Sequence, residues 1–477
     1  MTRKDSLSFA TIEELSALLA KRKLSPVELT EHFLRRIERY NPQLNAFLTV
    51  TAEQALASAR RAEKEFTRRA SQGSHRPLAG IPITLKDNIW TRGIHTTAGS
   101  KVLRDFVPAE DATVVRKLSR AGAILLGKTN LHEFAYGITT NNAHYGAAHN
   151  PWALDRIPGG SSGGSAAAIA AGLCVASIGT DTGGSIRIPA AMCGIVGLKP
   201  TFGRVSVFGT IPLAPSFDHV GPLARSVSDA AILLGLLAGQ DSLDPTSSAH
   251  RVEKFSAALH QPLRKFRLGR ARDYFWEKLD GEVRQATEAA VRDLEKHGAA
   301  VRDISLPHIG ESPDAATNVA LAETRYGHEL AGYFPAHSAE YSEEVRARVE
   351  AGGKVLATRY IAALDLQKRL RAEFDAAFQE VDAIVAPTVS VPAPPIGAEH
   401  VEVDGEEVPL RTALLGMNRP ANFTGHPAIS VPCGFTRAGL PIGLQLIGRS
   451  FDETTLLRIA LAYERRHDWS DRHPILD

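Results

Sequence analysis

The chain has 477 residues, 44% hydrophobic and 23% charged, with 55 Lys and Arg against 53 Asp and Glu. That length holds one large domain or about three average ones, at roughly 100–200 residues each, and the composition is that of a soluble globular protein. The near balance of charge argues against a nucleic-acid binder, which carries a clustered basic face. The three cysteines, Cys174, Cys193 and Cys433, exclude a disulfide framework and lack the paired spacing of a zinc site.

The first residues lead into a helical pattern with no apolar signal core, and no run of about 18 apolar residues could span a membrane. The expectation is a reducing, cytoplasmic compartment. Residues 11–22 and 26–40 show helical periodicity, with Leu15, Leu18 and Leu19 on one face and Val27, Leu29, Phe33 and Ile37 on the next. Ser25 followed by Pro26 is a helix start signal. A third helix is expected over 51–70. Gly80 to Lys86 carries the short apolar strand Ile81-Pro82-Ile83-Thr84-Leu85; a helix over 112–121 and a strand over 123–126 follow.

From Pro158 to Gly209 the chain is dominated by Gly, Ser, Ala and Thr, too apolar for disorder and too small-residued for an ordinary core. Ala166 to Ile178 is expected as a buried helix turning into a buried strand, with Cys174 and Cys193 as buried thiols. Then come helix 226–239, strand 267–271, helix 282–297, strand 300–305 and a long helical stretch around 342–378. Strands near 383–386, 428–432 and 442–446 precede a final helix, 452–466. The polar, turn-rich 393–411 is expected as a surface excursion. Helices alternating with short apolar strands predict an α/β layered fold around a large, mostly buried sheet.

Three segments carry candidate chemistry. Gly159-Gly160-Ser161-Ser162-Gly163-Gly164-Ser165 admits several readings. A phosphate loop needs a lysine that is missing here. A nucleophile elbow fits at Ser161 or Ser162 but wants a preceding strand, and 150–158 is a poor one. A loop whose glycines hold a serine in an unusual conformation is the third. A flexible surface loop has the same composition, although the apolar Ala166–Ala171 follows immediately. Next, the apolar strand ending at Ile178 delivers Gly179-Thr180-Asp181-Thr182-Gly183-Gly184-Ser185 to a strand end, where α/β sheets place their sites. Successive N–H groups at Gly183, Gly184 and Ser185 could converge on one oxygen, as an oxyanion hole requires. A tight turn with Ser185 as helix cap fits equally well. Last, Lys86 stands at a strand end. Solvated it is an ordinary surface lysine; buried, its pKa falls and it can act as a base. Among 17 histidines none shows a metal-ligand spacing on a helix, and His132, His144 and His149 are expected in surface or supporting roles.

Taken together, these segments resemble the amidase signature family. The resemblance rests on Gly80–Asn88, on Gly127-Lys128-Thr129-Asn130 with Glu133-Phe134, and on Pro158–Ala166. It continues through Gly179–Ala190, Gly197–Thr201 with Gly203-Arg204, Ala386-Pro387-Thr388, Pro427–Pro432 and Leu440–Gln445. What it implies is a single large α/β domain, a central twisted mixed β-sheet covered by helices on both faces. In it 1–70 would be an N-terminal helical segment, 80–235 the core with the catalytic motifs, and 236–477 the rest of the sheet and the pocket segments. It implies a Ser–cis-Ser–Lys triad: Ser185 as nucleophile, Ser161 as bridging serine after a cis peptide bond, and Lys86 as base, with Ser162 the weaker bridging candidate. Thr182, Gly183, Gly184 and Ser185 would supply oxyanion-hole N–H groups, and Asp181 and Arg187 would brace the turn. No metal or other cofactor is implied.

The resemblance leads to an amidohydrolase that cleaves a carboxylic amide or a carbamate through a seryl acyl-enzyme. The partner expectation is a small-molecule substrate, no nucleic acid, no membrane, and a homodimer. The alternative is the glutamine-hydrolysing component of a tRNA-dependent amidotransferase, its A subunit. Such subunits carry an acid shortly before an Asn-x-x-Gly-x-Pro stretch, and Arg411–Ala421 has none ahead of Asn422. Pocket walls are expected from 130–150, 305–350 and 411–425. Tyr136, Phe217 and Met417 are candidates for an apolar lining or for core packing.

Overall fold

Ser25 opens the longest N-terminal helix, Pro26–Leu44: its Oγ accepts from the Val27 and Glu28 N–H groups, and the Glu28 carboxylate takes the Ser25 N–H at 2.9 Å. Thr11 and Glu14 repeat this arrangement at Ile12–Ala20. Each pair satisfies donors that a helix start leaves open. Leu15, Leu19, Leu29, Phe33 and Ile37 bury on the inner faces. The computed structural model describes residues 7–68, 76–261, 263, 265–469 and 472–476. The third helix runs Ala52–Arg68, so positions 69 and 70 of the expected 51–70 helix lie outside the described residues.

The strands, numbered in chain order, are β1 (Phe47–Val50), β2 (Pro82–Lys86), β3 (Ile124–Thr129), β4 (Asn141–Asn142), β5 (Gly146–Ala147), β6 (Ala176–Asp181), β7 (Val196–Lys199) and β8 (His219–Ala224). They continue with β9 (Phe266–Arg270), β10 (Ala299–Asp303), β11 (Ala383–Pro387), β12 (His400–Val403), β13 (Glu406–Pro409), β14 (Ala428–Phe435) and β15 (Pro441–Gly448). Eleven form one mixed sheet in the order β1-β3-β2-β6-β8-β7-β14-β15-β11-β9-β10. Helices flank it, and β2, β6, β8 and β15 are buried along their whole length, as strands covered on both faces must be. The architecture is the expected single α/β domain with a large mixed sheet. All three cysteines are buried and free, and no described helix is long and apolar enough to cross a membrane.

Two features of this sheet position the site. β2 runs parallel to β6 with Leu85 opposite Ile178. The carboxyl ends of both strands, Lys86 on one and Thr180-Asp181 on the other, therefore emerge side by side at one end of the sheet's central strands. β8 returns antiparallel along β6 and sets His219 opposite Asp181.

The structure departs from the expected elements where local chemistry gave mixed signals. The stretch 342–378 is two helices, Glu343–Gly352 and Ala357–Glu380, broken at Gly352-Gly353. A Cβ on Gly352 would stand 2.2 Å from the Leu321 carbonyl oxygen, so a helix packs on this corner. The excursion 393–411 contains the β12–β13 hairpin, turning at Asp404-Gly405 with both φ angles positive, as a two-residue hairpin turn requires. Helix Ser312–Leu330, near the site, was outside the expected elements.

Candidate active site

Lys86 ends β2 and is fully buried. Its Nζ donates to Ser161 Oγ at 2.7 Å and to Thr180 Oγ1 at 2.7 Å, and no carboxylate among the described residues pairs with it. Burial pulls the ammonium pKa down to about 7, against the attraction of Asp181 and Asp218. Of the two environments open to this lysine in the sequence, the fold selects the buried one. Thr180, which sequence reasoning did not single out, also accepts from Asn88 Nδ2 at 3.2 Å and fixes the lysine head from the β6 side.

The glycine-serine loop crosses above. Gly159 has φ +77°, and a Cβ there would stand 2.9 Å from Pro189 Cα, so only glycine fits without displacing backbone. The Gly160–Ser161 peptide is cis. Ser161 is fully buried, and its carbonyl accepts the His132 N–H at 3.2 Å. Ser162 points elsewhere: its Oγ donates to the Thr180 carbonyl at 3.2 Å, and its N–H donates to the Ser185 carbonyl at 3.2 Å. Lys86 therefore meets Ser161, while Ser162 ties the loop to the next turn. Helix Gly163–Ala170 starts at once, so the loop is not a flexible surface segment.

Beyond β6 the chain turns through Thr182, Gly183, Gly184 and Ser185 into helix Arg187–Cys193. Asp181 organises this turn. Its carboxylate accepts the Gly184 N–H at 2.7 Å and the Ile186 N–H at 3.1 Å. It also takes both prongs of Arg187, Nε and Nη2, at 3.0 Å each. Burial pushes the Asp181 carboxyl up; the Arg187 charge and hydrogen bonds, with Lys199 and Asn422, more than offset it and hold it well below the usual carboxylate range. Arg187 in turn donates to the Asn418 carbonyl, Gln445 Oε1 and Asn422 Oδ1 at 3.0, 2.6 and 2.5 Å. Because Asp181 consumes the Gly184 N–H, this donor is not free to meet a substrate oxygen as the sequence suggested. The N–H groups of Thr182, Gly183 and Ser185 have no acceptor among the described residues. Thr182 Oγ1 donates to Asp218 at 2.5 Å, and burial raises the Asp218 carboxyl to about 6.

Ser185 is almost fully buried and lines a cavity at the end of the turn. Tyr136, Phe217, Leu415, Arg411 and Arg419 share its wall with Ser185. All three expected wall regions contribute, since Ala316 and Ala320 come from helix Ser312–Leu330. Tyr136 and Phe217 combine burial with cavity lining, whereas Met417 lines a neighbouring cleft. The two arginines were missed as site residues; their place in a segment without acids was the signal that could have found them. His132 faces Thr139 and Glu344, and His144 pairs with Glu133 at 2.9 Å. His149 bonds the Leu154 carbonyl. None of the three touches the serines' hydroxyls. Among the described residues no cluster of His, Cys, Asp and Glu is suited to hold a metal.

A family model described as Amidase matches residues 28–457. The chain is 45% identical over 488 residues to the A subunit of the glutamyl-tRNA(Gln) amidotransferase of Roseiflexus sp. (strain RS-1), covering 98% of each chain. Among solved structures it superimposes on the corresponding A subunit from Thermotoga maritima, with TM-score 0.80, 35% identity and 97% and 96% of the two chains covered. It also superimposes on a chain from a vestigial protein complex tied to the origins of an s-triazine catabolic enzyme, with TM-score 0.90, 35% identity and 96% and 98% covered. These relatives overturn the partner expectation of a small-molecule substrate without nucleic acid. They are named as subunits, and of an enzyme named for a tRNA substrate. Net charge averages over the whole surface and so does not exclude a nucleic-acid-linked substrate.

Proposed function

The chain belongs to the amidase family, and from that premise we propose that it hydrolyses an amide through a covalent acyl-enzyme on Ser185. One observation carries this reading: a buried lysine with a pKa near 7 lies 2.7 Å from a buried serine, on a loop hydrogen-bonded to the Ser185 turn. Neutral Lys86 accepts the proton of Ser161, and Ser161 takes that of Ser185, whose Oγ bonds to the amide carbon. A serine hydroxyl is a poor nucleophile until its proton is removed in this way. The negative charge that develops on the carbonyl oxygen is met by the N–H groups of Thr182, Gly183 and Ser185, fixed in place by the Asp181–Arg187 pair. The C–N bond then breaks, the nitrogen leaves with the proton returned through Ser161, and an ester remains on Ser185. Water attacks that ester, gives its proton along the same route, and the carboxylic acid departs. Thr180 holds Lys86 in line throughout.

The whole-length identity to amidotransferase A subunits supports one biological context over a free-standing amidase. In that context the chain is the amide-hydrolysing subunit of a tRNA-dependent amidotransferase, splitting glutamine and handing ammonia to a tRNA-linked acceptor within an assembly. One observation favours a free-standing hydrolase as the second reading. The cavity wall carries Arg411 and Arg419 and, among the described residues, no carboxylate that could receive the ammonium of glutamine. Co-expression with candidate partner subunits from the same genome separates the two. Glutamine-dependent amidation of glutamyl-tRNA by the assembly supports the subunit role. Failure to split glutamine with or without partners, alongside turnover of other amides, replaces it with the free-standing enzyme. In either case added hydroxylamine should intercept the acyl-enzyme as a hydroxamate, and Ser185→Ala should yield none.

A further inference from the structure

The wall of the Ser185 cavity carries positive charge that the protein does not neutralise. Three arginines gather around Tyr136: Arg348 lies 5.4 Å and Arg411 5.8 Å from its ring centroid, and Arg348 also donates to the Tyr136 carbonyl. Arg348 is paired with Glu344. Arg419 is anchored by donating to the Pro313 carbonyl at 3.0 Å and to Thr317 Oγ1. Its Cγ and Nε lie 3.5 and 3.8 Å from where a Cβ on Gly183 would stand, so it lies against the nucleophile turn itself. Among the described residues, no carboxylate forms an ion pair with Arg411 or Arg419, and none lines the cavity. Glu344 and Asp314 act on these two only by longer-range attraction; burial, with repulsion from Arg348 on both and from Arg419 on Arg411, lowers the guanidinium pKa values to about 9 and 10. Two partly buried cations without counter-ions are costly unless a ligand completes them, and a guanidinium matches a carboxylate in shape and charge.

We propose that Arg411 and Arg419 form an anion subsite that binds a carboxylate on the acyl half of the amide substrate and disfavours an ammonium there. This inference rests on the reading that the cavity delivers an amide to Ser185, and it goes with the free-standing hydrolase rather than the glutamine-splitting subunit. The substrate class is thus the monoamide of a short dicarboxylic acid, with the amide end at Ser185 and the acid end at the arginines.

The test uses three amides of matched length: glutaramate, glutaramide and 5-aminopentanamide. The expected order of kcat/KM is glutaramate above glutaramide by at least about tenfold, with the cationic amide lowest. Glutamine, which bears both charges, should fall below glutaramate. In Arg411→Gln and Arg419→Gln the ratio of glutaramate to glutaramide should collapse toward one, and Arg411→Lys should restore part of it. A wild-type enzyme indifferent to charge, or variants that lose all three amides in proportion, would overturn the subsite. Calorimetry of glutarate binding to Ser185→Ala reads the subsite without chemistry. Binding that disappears in Ser185→Ala/Arg411→Gln supports it, and no binding at millimolar glutarate contradicts it. If glutarate binds through Arg411 while no amide is turned over, the subsite stands and the acyl-enzyme reading falls.

Discussion

Lys86 shows how one side chain trades stability for chemistry. Its amine must be neutral to take a proton, and full burial supplies that by lowering the pKa to about 7. Activity should therefore rise with pH through about 7 and level off above it, in kcat/KM profiles on the free enzyme. Lys86→Arg keeps a charge that cannot be removed and should lower kcat by at least about 100-fold at every pH. A second consequence concerns folding. Between about pH 7 and 10.5 the unfolded chain binds a proton at Lys86 that the folded chain does not, so stability should rise with pH across that window. The slope from this group is at most about 1.4 kcal/mol per pH unit. Lys86→Met should flatten that part of a plot of melting temperature against pH; an unchanged slope would mean the lysine is charged in the fold. The sequence made the residue visible through its place at the end of an apolar strand. It could not decide burial, because that depends on Ser161, Thr180 and the covering loop, which come from 75 and 94 positions away.

The turn Asp181–Ser185 and the helix after it form the element on which the proposed chemistry hangs. Asp181 and Arg187 are both fully buried and joined by two hydrogen bonds, with Asn418, Asn422 and Gln445 completing the network from late in the chain. Removing one member leaves the other charged and buried without its opposite charge. Arg187→Met should cost roughly 3–5 kcal/mol, read as a shift of the denaturant midpoint, and Arg187→Lys should recover little because it cannot bind both carboxylate oxygens. A loss under about 1 kcal/mol would show the pair to be dispensable. The strand into this turn and the Gly-Gly-Ser pattern were plain in the sequence, so its position was predicted well. The commitment of the Gly184 N–H to Asp181 was not, since it depends on a side-chain rotamer. β8 escaped for a different reason: Gly221 and Pro222 argue against a central strand. The fold tolerates Pro222 because β7 pairs β8 only at Leu223 and Ala224, leaving the proline beyond that ladder.

At the scale of the whole molecule, an eleven-stranded sheet brings residues 86, 161 and 185 to the ends of its central strands and lets segments near 136, 316 and 411–423 build a cavity beside Ser185. The candidate catalytic segments were legible because their glycines and serines have few other uses in that order. The cavity wall was not, because helix Ser312–Leu330 and the arginines look like any surface helix and loop until the sheet places them. The relation to amidotransferase A subunits belongs to this scale too. If the chain works as such a component, it should co-elute with partner subunits when expressed together, and elution only by itself would favour the free-standing enzyme. The ester proposed on Ser185 can be trapped by rapid acid quench during steady turnover of glutaramate and located by peptide mass spectrometry. A glutaryl mass increment is expected on the peptide holding Ser185 and none in Ser185→Ala. Full turnover with no adduct, or an adduct on another residue, would contradict it.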